Sequence, residues 1–215
     1  MAKEKKESNT AAILAGIAIL LILFGIAAYT AFVAEPKEGN GAEELPEEGQ
    51  AKGGIGFEEA LGSLNSINAK YGLAFFTVPS NAETNIEVLE EVKKEAESAE
   101  LSEEAAQLYE IKLKLLESNQ FFMEGWKYGK GSTTQYGFGC KSLERIRNAT
   151  YSRNISASIG LEAAELINGF VNSYPEEAEA AGITKGAALV LKTSYELEMQ
   201  SAKKDRNIVE KLCVK

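Results

Sequence analysis

The amino-acid sequence predicts an all-α protein: one N-terminal transmembrane helix, a flexible linker, then a helical bundle of six or seven helices. Three observations carry this. A run of 24 residues, Ala11 to Ala34, contains no charged side chain. From Phe57 onward, apolar residues recur at three- and four-residue spacing, the period of an amphipathic helix. Alternating apolar and polar stretches of the kind that form strands are nearly absent.

At about 1.5 Å of rise per residue, residues 11–34 span roughly 36 Å, enough to cross a hydrocarbon core of about 30 Å. The competing reading is the apolar part of a cleaved signal peptide, for which Gly25-Ile26-Ala27 is a better cleavage site than Phe32-Val33-Ala34. Lys3, Lys5 and Lys6 precede the run, and Lys37 alone follows closely. The positive-inside bias therefore places residues 1–10 in the cytoplasm and everything after the anchor outside. Residues 35–55 combine Pro, Gly and six Glu with almost no bulky apolar side chain, so they cannot offset the entropy of ordering and read as a linker. Residues 56–215 are then an all-helical extracytoplasmic domain.

Within that domain, Phe57, Leu61, Leu64 and Ile67 mark one helix face ending near Tyr71-Gly72. Leu73 to Pro79 is a short apolar break, either extended or a helical turn. Ser80 and Glu83 have capping-box spacing before a helix carrying Leu89, Val92 and Ala96. Ser102 starts the next helix, with Glu103 and Glu104 placed against its dipole. Its ridge of Leu108, Ile111, Leu115 and Phe122, with Tyr109, Leu113 and Leu116 beside it, makes it the expected central helix, fading at Gly125. Helical character returns after Cys140 and runs to Tyr174. Pro175 at a first helical position begins a short helix that Gly182 ends. Thr184 caps a last helix carrying Ala188, Leu191, Tyr195 and Met199, and the charged run Lys203 to Arg206 is expected to break it before a C-terminal turn. No repeat period recurs, which argues against a stacked-repeat solenoid.

Composition removes several function classes. The net charge is −9, which repels nucleic acid as a partner, and the chain has no histidine, which removes Ser-His-Asp and Cys-His catalysis. The stretch around Gly125, Gly129 and Lys130 lacks the spacing and the preceding strand of a phosphate loop. Carboxylates lie at ordinary spacing on solvated helix faces, without a calcium-loop pattern or a catalytic pair. Nothing implies a cofactor or a metal, and a non-enzyme is expected. Asn148-Ala-Thr150 and Asn154-Ile-Ser156 match the glycosylation acceptor pattern at the frequency chance provides.

Two groupings remain. Trp126, Tyr128, Tyr136 and Phe138 stand among glycines in the stretch 125–140; such rings either complete a core or form a binding patch, and they are the candidate site. Cys140 and Cys213 are the two cysteines of the chain, and outside the membrane they are expected to form a disulfide. The functional expectation is a single-pass membrane-anchored domain that acts as a protein-interaction or envelope-assembly module, its partner another envelope protein. The alternative is an extracytoplasmic small-ligand receptor or enzyme that uses the aromatic stretch 125–140.

Overall fold

The computed structural model describes residues 54–129 and 143–213, and among them six helices carry nearly all of the chain. They are α1 (Phe57–Lys70), α2 (Ala82–Glu97), α3 (Glu103–Gly129), α4 (Leu143–Ser173), α5 (Pro175–Ala180) and α6 (Lys185–Cys213). No strand occurs among the described residues; Ile55 and Leu101 form one isolated parallel bridge. No helix among them is long and apolar enough to cross a membrane, and the predicted span 11–34 lies outside the described residues.

The starts and stops follow local chemistry. Ser102 Oγ accepts from the Ala105 N–H at 3.3 Å, and Thr184 Oγ1 from the Ala187 N–H at 3.1 Å, each satisfying a donor that the first helical turn leaves unpaired. Pro175 stands at the beginning of α5, where its missing N–H costs nothing. Gly72 and Gly182 take positive φ, 66° and 67°, so that Leu73 N and Ile183 N can reach back to the carbonyls of Asn68 and Ala178.

Four expectations need correction. The cap of α2 is Asn81, not Ser80: Asn81 Oδ1 accepts from Thr84 N at 2.8 Å, because its side chain offers an oxygen at the right reach once the chain turns after Pro79. Ile55 belongs to the domain and not to the linker, since its N–H donates to Glu100 O at 2.7 Å and its carbonyl accepts from Ser102 N at 3.0 Å. Helix α3 does not fade at Gly125 but continues to Gly129, where Gly125 lets α4 approach. Helix α6 is unbroken through Lys203–Arg206, because Asp205 is paired with Arg153 and Arg206 with Glu210 on the next turn.

Helix α3 is the central element, as its wide apolar stripe implies, and α4 packs most extensively against α3 on one flank and α6 on another. The main core lies in the half of the bundle containing the start of α3: Leu108, Tyr109, Ile111, Leu115 and Leu116 meet Leu64, Val88 and Val92 of α1 and α2, and Ile167 and Phe170 of α4. The Phe170 ring lies tilted against Phe57 and Tyr174, with ring centroids 6.3 Å and 5.4 Å away. Of this set, burial of Leu, Ile and Phe side chains contributes about 1.5–3 kcal/mol apiece.

The other half is assembled differently. Ser152, Ser156, Gly160 and Ala164 recur every fourth residue on α4 and are all buried. Small side chains let neighbouring helices come close, and polar ones must then pair. Ser118 Oγ of α3 donates to Ser156 O at 2.9 Å and lies 3.3 Å from Ser156 Oγ.

Candidate functional site

The aromatic stretch is only partly within the described residues. Trp126 and Tyr128 occupy the last turn of α3, whereas Tyr136, Phe138 and Cys140 lie outside the described residues, and with Cys140 the expected bridge to Cys213. Trp126 is 68% exposed, so it does not complete the core; Phe122, one turn earlier on the same face, is 42% exposed. Phe122 was expected on the buried ridge. The reason it is not is that Gly125 turns toward α4, with a Cβ there reaching within 3.0 Å of Ala149 O, and this rotation leaves Phe122 and Trp126 on the outer flank. Lys127 is exposed beside them.

The same end of the bundle is held by Arg153 of α4. Its Nε donates to Glu198 at 2.5 Å, Nη1 to Asp205 at 2.8 Å and Nη2 to Ser201 at 3.1 Å, so one guanidinium ties three turns of α6. Burial works against its charge, but the two carboxylates outweigh that and hold its pKa above the ordinary arginine value. Its alkyl stem runs across Gly125, so α3, α4 and α6 meet on this residue.

One turn further into the bundle, the Tyr195 ring of α6 lies flat over Gly160: a Cβ there would sit 2.3 Å from the ring. The missing side chain is a window through which the tyrosine reaches Ser118. Burial raises the Tyr195 pKa, and its side-chain hydrogen bond with Ser118 partly offsets this.

A second chemically distinctive group is Lys112, fully buried on α3, which periodicity alone would place on a wetted face. Its Nζ donates to the carbonyls of Phe75 at 2.9 Å, Thr77 at 3.1 Å and Ala74 at 3.4 Å. Asn119 Nδ2 donates to Pro79 O at 2.9 Å and to Asn85 Oδ1 at 2.8 Å. Together they strap the irregular 73–79 segment onto α3. Burial pushes the amine down to about 7. Its donors are all engaged with backbone, which makes it a fastening of this segment and not an amine aimed into a cleft.

The opposite end of the bundle gathers carboxylates. The starts of α1, α3 and α5 meet there, and an open hollow is lined by Gly56, Phe57, Glu58, Glu59, Glu176, Glu177 and Ala180. Burial first, then the charges of Glu103, Glu104 and Glu177, raise the Tyr174 pKa. Among the described residues no group of three or more His, Cys, Asp or Glu could hold a metal ion. Of the acceptor-pattern asparagines, both lie on α4; Asn148 is exposed, and Asn154 Oδ1 is buried without a partner.

Sequence reasoning found Trp126 and Tyr128 but missed Phe122, Lys112 and Arg153. The recurrence of a small residue at every fourth position, Ser152, Ser156, Gly160 and Ala164, is the signal that neighbouring helices lie close against α4. No protein-family model, no curated protein and no solved structure matches the chain.

Proposed function

We propose that the chain is a single-pass membrane-anchored helical module whose domain stands outside the cell and acts in protein interaction or envelope assembly. The observation that carries this reading is Trp126. A large ring 68% exposed, with Phe122 on the same face and a lysine beside it, is the kind of apolar surface that partners cover. The uncharged run 11–34 supplies the anchor and its flanking lysines the orientation.

The test has two parts. Protease added to intact cells removes the domain while a cytoplasmic control survives, and a photo-crosslinker at position 126 gives discrete adducts that one at the exposed Glu162 does not. A domain protected until the membrane is opened refutes the orientation. Equal adduct patterns at 126 and 162 refute the interaction surface.

A further inference from the structure

We infer that the basic, aromatic end of this domain docks onto the acidic end of a second copy of the same chain, so that copies associate head to tail. This names a partner for the proposed assembly reading, and its test in detergent is read independently of which side of the membrane the domain occupies.

The warrant is a separation of charge along the bundle that the net charge conceals. The C-terminal turns of α3 and α6 and the N-terminal turns of α4 share one end, as the Gly125 approach to Ala149 and the Arg153 pairs to Glu198 and Asp205 establish. Among the described residues six exposed cations stand there besides the Glu210-paired Arg206: Lys127, Arg145, Arg147, Lys203, Lys204 and Lys211. Glu198 and Asp205 share the single charge of Arg153, and Glu210 pairs with Arg206, so Glu124, Glu144 and one surplus carboxylate charge oppose the six. A chain of net charge −9 thus has a cationic end.

The other end is its complement. The Ile55–Leu101 bridge and the Phe57–Phe170 contact bring the starts of α1 and α3 and the end of α4 together, with α5 following. Glu58, Glu59, Glu103, Glu176 and Glu179 are exposed there. The hollow between α1 and α5 is lined by Gly56, Phe57 and Ala180 together with Glu58, Glu59, Glu176 and Glu177. A ring followed by a lysine, Trp126-Lys127, presents the matching chemistry: apolar face to Phe57 and its small neighbours, ammonium to the glutamates. Exposed charge of opposite sign at the two ends steers encounter and fixes orientation, and the buried ring supplies the contact that persists. Because the two surfaces differ, the contact is heterologous and propagates into a ring or an open row.

Trp126 is the one tryptophan of the chain, so its fluorescence reads this surface directly. The full-length protein in neutral detergent is titrated in concentration at low salt while emission and sedimentation are followed. The expected result is a blue shift of Trp126 together with species larger than the monomer, both reversed by 0.5 M salt, where the Debye length is only about 4 Å. Two charge-reversed chains extend the test: K127E/K203E/K204E and E58K/E59K/E176K. Each alone stays monomeric, and an equimolar mixture regains both the blue shift and the larger species. A wild-type emission independent of concentration and salt overturns the inference, as does self-association of either reversed chain. A Trp126 shift that appears only with anionic vesicles, and as strongly in the E58K/E59K/E176K chain, assigns the cationic end to a lipid surface instead and also overturns it.

Discussion

The buried amine of Lys112 makes stability depend on pH with a sign that can be worked out. In the unfolded chain a lysine titrates near its ordinary 10.5; in the fold, burial brings Lys112 to about 7. Between these values the unfolded state holds the proton and the folded state does not, so stability rises with pH across this window. Below about pH 6 the amine is charged in both states and the contribution is flat. The slope approaches about 1.4 kcal/mol per pH unit, and integration from pH 7 to 9.5 gives a gain of about 3 kcal/mol. The neutral amine keeps two N–H donors, enough for Phe75 O at 2.9 Å and Thr77 O at 3.1 Å, and releases the longest contact, Ala74 O at 3.4 Å. Lys112→Met keeps the volume and removes the titration. Urea unfolding of both proteins, followed by far-UV circular dichroism between pH 6 and 9.5, isolates the term as a difference that grows in favour of the wild type. A difference that stays constant over that range refutes the reasoning: the three carbonyls would then be holding the ammonium against desolvation.

Three further outcomes follow from the geometry. Gly160→Ala places a Cβ where the Tyr195 ring lies and is expected to cost about 1–3 kcal/mol in denaturant unfolding, with the Tyr195 absorbance band moving as the ring leaves its buried site. Arg153→Ala leaves Glu198 and Asp205 without their cation and should cost about 2 kcal/mol, below the usual loss for a fully buried pair because the arginine side chain is 23% exposed; an unchanged unfolding midpoint refutes the clamp. Thiol labelling of unreduced, denatured protein should find no free cysteine if Cys140 and Cys213 are bridged, a loop of about 73 residues whose closure contributes roughly 4 kcal/mol in the chain-entropy model.

The all-helical character of the described residues was legible because its signals are local. Ser102, Thr184, Pro175 and Gly182 each act on backbone groups within a few residues, and each stands where its chemistry predicts. What stayed hidden depends on contacts distant in the chain. Lys112 reads as solvent-facing until the 73–79 segment, 35 to 38 residues earlier, presents three carbonyls to it. Ser152 and Ser156 read as a polar face until α3 comes close enough for Ser118 to pair with Ser156. The run Lys203–Arg206 reads as a break until Arg153 supplies Asp205 with a counter-charge. For the candidate site, the types of residue were visible, but whether Trp126 packs or projects depended on the rotation of α3 at Gly125, which the apolar period does not encode.

These differences locate a gradient within the bundle. The continuous apolar core stops on α3 at Leu116 and on α4 at Ala163, whereas Ile146, Ala149, Ala157 and Ala202 are buried outside it. Beyond those points the helices are held by Ser118–Ser156, by the Tyr195 ring over Gly160 and by the Arg153 clamp. Each such contact contributes about 0.5–3 kcal/mol and depends on its partner staying in place, whereas the core sums many apolar contacts that tolerate small shifts. The end carrying Trp126 is therefore the less deeply anchored one, opening at lower free energy than the end where α1, α3 and α4 converge. Of the two surfaces in the proposed head-to-tail contact, the Trp126 end would be the one that a docked copy orders, while the Phe57 hollow, backed by the Phe170 core, would dock as a preformed surface.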